Sequence, residues 1–419
     1  MMLGLMMVWI SVPVQAQNVI EDEGIETVEE DVSDSTLVDS LAADTLTQKL
    51  PWPESVKVGI DKLLESKMFE TSQVGLMVWD LSADSCIYQR NERQLMRPAS
   101  TMKLLTAITA LDKLGGSYQF KTTLKYTGTI ENGVLTGDVY CIGGMDPRFN
   151  SDDMSAFVNS LKEMGVDTIR GSIYADRSLK DADLLGEGWC WDDDNPVLSP
   201  LVFQRKDIFM DKFLAKLREE GIEYSCFGAS EKTCPASAFT VCTRFHTMDQ
   251  ILHKMMKESD NLYAESMYYQ IAASTGNKWA SAKSARNVER QLIRKIGLDP
   301  ARYKLADGSG LSLYNYLSAE LEVKLLRYAY LNGNIMDHLK HSLPIGGVDG
   351  TLKKRMKNSF VHGNVKAKTG TLTGIISLAG YCTAANGHEL CFAIINNGIM
   401  HGNNARHFAD KVCTLLCQP

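Results

Sequence analysis

The spacing of apolar positions changes repeatedly along the chain, and each change marks an element. "PWPESVKVGIDKLLESKMF" (51–69) carries a helical period behind two prolines. "QVGLMVWDLSADSCIYQRN" (73–91) alternates apolar and polar around a turn, which predicts a β-hairpin. A helical pattern opens at Ser100 in "PASTMKLLTA". The texture then shifts. "FKTTLKYTGTIENGVLTGDVYCIGGMDPRF" (120–149) is strand-rich, with Glu-Asn-Gly as a hairpin turn and a Gly-Gly tract. "SDDMSAFVNSLKEMGV" (151–166) predicts a helix, "TIRGSIYADRSL" (168–179) a strand, and "GEGWCWDDDNP" (186–196) a loop. Helical patterns dominate from residue 248 to about 347. The segment 361–398 predicts two or three strands with an Asn-Gly turn, and "NARHFADKVCTLLCQ" (404–418) a closing helix.

Strands near 75–90 and those after 364 can form one antiparallel sheet covered by helices from the middle of the chain. The strand-rich piece between them then reads as an insertion. The expected class is α/β (α+β), with residues 51–115 and 246–419 in one domain and 116–245 inserted in it. No internal repeat is present.

Composition adjusts this picture at the N-terminus. Residues 1–16 form a short apolar run ending in Val14-Gln15-Ala16, a small-x-small cleavage pattern, which predicts an export signal. Residues 17–50 hold ten acids and one base, Lys49, and predict a solvated acidic linker. The net charge of −7 therefore belongs to this tail, and the rest is close to neutral. No basic run with interleaved aromatics suggests nucleic acid, and no apolar run approaches the roughly 20 residues of a membrane span. The ten cysteines permit disulfides in an exported chain, and Cys226, Cys234 and Cys242 are close enough for a local bridge. The eight histidines are scattered, so neither a metal nor a cofactor is expected.

Three short stretches carry candidate chemistry. Ser100 and Lys103 share a helix face at i, i+3. A serine hydroxyl becomes a nucleophile when a base lies within hydrogen-bond reach, and a buried lysine can be that base. Ser259-Asp260-Asn261 interrupts a helical pattern, and a helix junction can aim a hydroxyl and an amide into a cleft. Lys368-Thr369-Gly370 lies on a late strand; Gly370 would let a ligand backbone approach, Lys368 would supply fixed charge, and Thr369 and Thr371 would donate to a carboxylate. Each has a plain structural alternative: helix capping for the serines and Asn261, an ordinary edge strand for the third. Their joint order, Ser-x-x-Lys, Ser-x-Asn, Lys-Thr-Gly, is that of penicillin-binding proteins and class A β-lactamases.

The chain resembles the low-molecular-mass class C penicillin-binding proteins, the D-alanyl-D-alanine carboxypeptidase/endopeptidase family. "RPASTMKLLTAITAL", "NGVLTGDVYCIGGMDPRF", "GEGWCWDD", "ILHKMMKESDNLYAE", "DGSGLSLYN" and "KAKTGTLTG" carry the likeness, from about residue 55 to the C-terminus. It implies a transpeptidase-like domain with an insertion after the Ser-x-x-Lys helix, and a periplasmic address. It also implies an acyl-enzyme on Ser100, Lys103 as base, Ser259 relaying a proton to the leaving amine, and Asn261 orienting the substrate amide. Lys368, Thr369 and Thr371 would hold a terminal carboxylate, and the N–H groups of Ser100 and Thr371 an oxyanion. The substrates implied are peptidoglycan stem peptides, with β-lactams as covalent inhibitors and peripheral contact with membrane or wall left open. Leu313 stands where the family commonly has a basic residue, Met145 where it has Gly, and the stretch around 205–245 looks truncated. Asp146 reads equally as a contact to the free end of the stem peptide or as a turn residue before Pro147. A serine β-lactamase and a non-catalytic wall sensor on the same scaffold are the rival readings.

Overall fold

The computed structural model describes residues 50–191, 195–276, 278–357 and 360–419. The expected signal sequence and the acidic segment through residue 49 lie outside the described residues. The chain opens with α1 (Glu54–Leu63), the hairpin β1 (Gln73–Asp80) and β2 (Ser85–Arg90), and α2 (Met102–Leu114). Next come β3 (Gln119–Tyr126), β4 (Thr129–Glu131), β5 (Val134–Thr136), β6 (Val139–Ile142), α3 (Ser151–Glu163), β7 (Thr168–Arg170), β8 (Ile173–Asp176), α4 (Phe209–Glu219), β9 (Glu223–Tyr224), β10 (Ala229–Glu231) and β11 (Phe239–Thr247). The remainder is α5 (Met248–Lys257), α6 (Asn261–Ala273), α7 (Ala282–Lys295), α8 (Ala319–Tyr330), α9 (Gly333–Ser342), β12 (Lys366–Leu372), β13 (Ile375–Thr383), β14 (Glu389–Asn397) and α10 (Gly402–Cys417).

The first and last strands make one antiparallel sheet in the order β12-β13-β14-β1-β2. Its central strands are apolar on both faces because both faces are covered. Met77, Ala379, Tyr381, Cys391 and Ala393 pack with α2, α5, α6 and α8. Their neighbours Leu76, Val78, Leu378, Phe392 and Ile394 pack with α1 and α10. The middle helices thus cover only one face; the terminal helices, whose stripes hold Val56, Ile60, Phe408, Val412 and Leu416, close the other.

Residues from β3 to β11 build two further sheets, β10-β8-β6-β3-β11 and β4-β5-β7-β9, around a separate apolar cluster that includes Phe157, Phe209 and Phe213 of α3 and α4. The Asn132-Gly133 turn between β4 and β5 has φ of 51° and 81°, the left-handed pair that a two-residue hairpin needs. The single strand expected at 168–179 is instead two, one in each sheet. They break at Gly171, where a Cβ would stand 1.9 Å from Gly137 O, so the backbones cross too closely for any side chain. Residues 205–247 supply α4, both edges of the first sheet (β10 and β11) and one edge of the second (β9). All ten cysteines are free, so the local bridge among Cys226, Cys234 and Cys242 does not form. Cys226 and Cys242 pack as small apolar groups against the Phe157 cluster, and the Cys234 thiol rests on Pro235 O.

One buried carboxyl is out of keeping with this core. Glu322 on α8 is fully buried, and among the described residues neither of its carboxyl oxygens has a hydrogen-bond partner. The nearby Thr101 hydroxyl already donates to Pro98 O at 2.9 Å. Burial raises the Glu322 carboxyl from 4.5 to about 8. The folded state therefore keeps a proton that the unfolded chain releases, and stability falls as pH rises from about 4.5 toward 8. Glu322→Gln is expected to lie within about 1 kcal/mol of the parent near pH 5 and to exceed it by roughly 3–4 kcal/mol at pH 8 in denaturant unfolding.

Candidate active site

The three stretches meet where α2, the α5–α6 junction and β12 converge. Ser100 lies in a 3-10 turn, Ala99–Thr101, that precedes α2 rather than in the helix itself. Ala99 has a φ of 49°, a left-handed conformation costly for a residue with a side chain. Two hydroxyls fasten this strained turn: Thr101 and Ser377 both donate to Pro98 O, at 2.9 and 2.5 Å.

Lys103 is fully buried one turn on. Its Nζ donates to Ser100 Oγ at 2.9 Å, Asn261 Oδ1 at 2.7 Å and Ser309 O at 2.8 Å. Among the described residues no carboxylate bonds it directly. Burial lowers its ammonium to about 8, against the opposing pull of Asp307, Glu265 and Asp260. A lysine in that range can accept a proton near neutral pH.

Ser259 links α5 to α6 with a φ of 60°. Its Oγ accepts from Lys368 Nζ at 2.8 Å. Asp260 caps α6 through Tyr263 N and pairs with Arg205 at 2.6 Å, which fixes the junction. Asn261 begins α6; its Oδ1 faces Lys103, and its Nδ2 has no partner among the described residues. Lys368 is also fully buried and bonds Thr369 O at 2.7 Å. The fixed charge expected there is not what its surroundings favour. Burial, then the neighbouring Lys103, push its ammonium well below the ordinary range.

β12 is an edge strand. Ala367 N donates outward to Pro344 O, away from β13. By strand alternation the N–H groups of Thr369 and Thr371 also point off the edge. Thr371 is exposed, whereas Thr369 is 9% exposed and shares a 2.7 Å hydroxyl contact with Thr351. Gly370 packs against the serine turn. A Cβ there would stand 2.1 Å from Ser377 Oγ, 2.7 Å from Pro98 O and 3.0 Å from Ser100 N. Its bare backbone makes room for the serine turn and lets Ser100 N pack close to β12.

Asp146 is not in this group. It is 1% exposed, with one oxygen accepting from Arg148 N at 3.0 Å and the other 2.7 Å from His246 Nδ1. Burial pushes its carboxyl up and His246 pulls it back. One oxygen thus serves its own turn and the other meets β11. Met145 is buried against Leu198, Tyr268 and Tyr269. Leu313 is exposed.

A layer beneath Lys103 had no role in the sequence reading. Glu265 Oε1 accepts from Gly308 N at 3.0 Å and Ser309 N at 2.8 Å, which aims the Ser309 carbonyl at Lys103. Asp307 accepts from Gly310 N, Ser312 N, Asn315 Nδ2 and Trp189 Nε1. A lone carboxylate on the otherwise uncharged stretch "NLYAESMYYQIAA" was the available signal for Glu265.

Residues 56–202 and 197–418 match the D-Ala-D-Ala carboxypeptidase 3 (S13) family. The chain belongs to that family. It is 25% identical to the D-alanyl-D-alanine carboxypeptidase DacB of Haemophilus influenzae, over 88% of this chain and 94% of that one. It is 27% identical to a D-alanyl-D-alanine carboxypeptidase of Actinomadura sp. strain R39, over 81% and 80%. The crystal structure of penicillin binding protein 4 (dacB) from Haemophilus influenzae superposes with a TM-score of 0.77 at 24% identity, covering 84% of this chain and 97% of that one. The same protein complexed with a β-lactam gives 0.72 at 24% identity, with the same coverage of both chains. The protein is a serine-type D-Ala-D-Ala carboxypeptidase with the fold of penicillin binding protein 4.

The Gly370 packing makes a prediction for this enzyme. Gly370→Ala is expected to cost about 1–3 kcal/mol of stability. By displacing Ser100 it should also slow D-alanine release about 100-fold. Thermal unfolding and a D-Ala-D-Ala peptide assay read the two effects separately.

Proposed function

We propose that Ser100, Lys103, Ser259, Asn261 and Lys368 carry this activity on peptidoglycan stem peptides, through an acyl-enzyme on Ser100. The observation that carries the reading is the Lys103 amine, buried and 2.9 Å from Ser100 Oγ, beside the second hydroxyl–amine pair at 2.8 Å. Neutral Lys103 takes the Ser100 proton as Oγ attacks the carbonyl of the penultimate D-Ala. The N–H groups of Ser100 and Thr371 receive the developing oxyanion, where preorganised donors act most strongly. Asn261 Nδ2 is free to hold the substrate amide. Ser259, fed by Lys368 Nζ, passes a proton to the leaving amine. The terminal carboxylate rests on Thr369 and Thr371, and its charge favours the protonated form of Lys368. Water then releases the peptide.

A cross-linked D-Ala–diamino acid bond meets the same groups, so endopeptidase activity fits the site as well. The substrate lies outside the cytoplasm, and the apolar residues 1–16 support export to the periplasm. β-Lactams fit as acylating inhibitors of the same serine. The test is twofold. Cross-linked and uncross-linked muropeptides are digested and their products weighed, and benzylpenicillin-treated enzyme is peptide-mapped. Release of D-alanine or of split dimers, with a stable adduct on Ser100, is expected. Rapid penicillin turnover with intact muropeptides would make the protein a β-lactamase instead.

A further inference from the structure

We propose that Thr351 is a positioning residue for the carboxylate site, its hydroxyl fixing which way the Thr369 hydroxyl points. The inference rests on the reading of β12 as the edge that takes the substrate's terminal carboxylate. Thr351 Oγ1 and Thr369 Oγ1 are 2.7 Å apart. Two hydroxyls in contact place one proton between them, and the other points away. A carboxylate only accepts hydrogen bonds. It therefore selects the arrangement in which Thr351 donates to Thr369 and Thr369 donates into the cleft. Such a chain of hydroxyls is cooperative, each bond strengthening the next.

The position of Thr351 is held from several sides. It lies in a 3-10 turn, Gly350–Leu352, directly after Asp349. Lys257 Nζ bonds both Asp349 oxygens, at 2.8 and 2.6 Å, and Leu343 O at 2.6 Å. Asp349 Oδ1 also accepts from Ile345 N at 2.9 Å. Gly350 has a φ of 55°, and a Cβ on it would stand 2.8 Å from Lys257 O. Lys257 is two residues before Ser259, so this clamp ties the Thr351 turn to the junction that carries Ser259.

The test compares Thr351→Val, Thr351→Ser and Thr369→Val on two thioesters of one N-acyl-D-alanine. One has thiolactate as leaving group and so a carboxylate; the other has ethanethiol and none. Thr351→Val is expected to lower kcat/KM about tenfold on the carboxylate thioester, through KM, and to stay within about twofold on the other. Thr351→Ser should restore the parent value. Equal losses on both thioesters would make Thr351 merely structural and overturn the proposal. No loss from Thr351→Val, while Thr369→Val loses on the carboxylate thioester alone, would overturn it and leave the reading of β12 standing. No loss from Thr369→Val would overturn that reading and the proposal with it.

Discussion

Ser100→Ala is expected to abolish both penicillin labelling and D-alanine release, a loss of roughly 10⁴-fold or more, with the fold intact. The change removes one oxygen from a turn whose shape is set elsewhere. Pro98 O is held by Thr101 and Ser377, and Gly370 leaves room for the turn whatever side chain stands at 100. Circular dichroism and unfolding should therefore stay close to the parent. The chemistry has no substitute nucleophile: Ser259 Oγ is bound to Lys368 and lies on another element. Groups that act as a unit lose their effects together. The double variant Ser100→Ala, Lys103→Met should thus be no slower than Ser100→Ala alone. Retained release by Ser100→Ala would remove the serine from its role.

The parts of this site legible in the sequence are those whose chemistry is local. Ser100 and Lys103 are three residues apart, and a turn running into a helix brings them together. The hairpin of β1 and β2 and the Asn132-Gly133 turn follow from alternation and from a dipeptide that tolerates positive φ. Legibility fails where a residue is used by a distant backbone. Gly370 reads as bare backbone, but only the fold shows that Pro98 and Ser100, about 270 residues earlier, pack against it. Asp146 reads equally as a stem-peptide contact or a turn residue, and only the fold brings His246, one hundred residues on, to its carboxylate. Glu265 reads as one acid on an otherwise uncharged helix; only the fold shows the Ser309 backbone beneath it. The second helical layer was missed for a related reason. An amphipathic stripe says that a helix is covered, not which face of which sheet covers it, and α1 and α10 come from opposite ends of the chain.

Lys103→Met is expected to slow acylation by roughly 10²–10⁴-fold, the usual contribution of a positioned base. Methionine fits the buried volume, so the loss reports on the amine rather than on collapse of the helix. It leaves Asn261 Oδ1 and Ser309 O without their shared donor, a cost of about 1–3 kcal/mol in stability. The pH dependence gives the sharper check. Lys103 acts as base only when neutral, and its ammonium titrates at about 8. Below that pH the neutral fraction falls tenfold per unit, so acylation by the parent enzyme should fall with it and level off above about 8. The variant should lose that inflection. Lys103→Arg should be as slow as Lys103→Met, because a guanidinium keeps its proton at every accessible pH. A parent profile flat from pH 6 to 9, measured by penicillin acylation rather than turnover, would mean that another group takes the Ser100 proton.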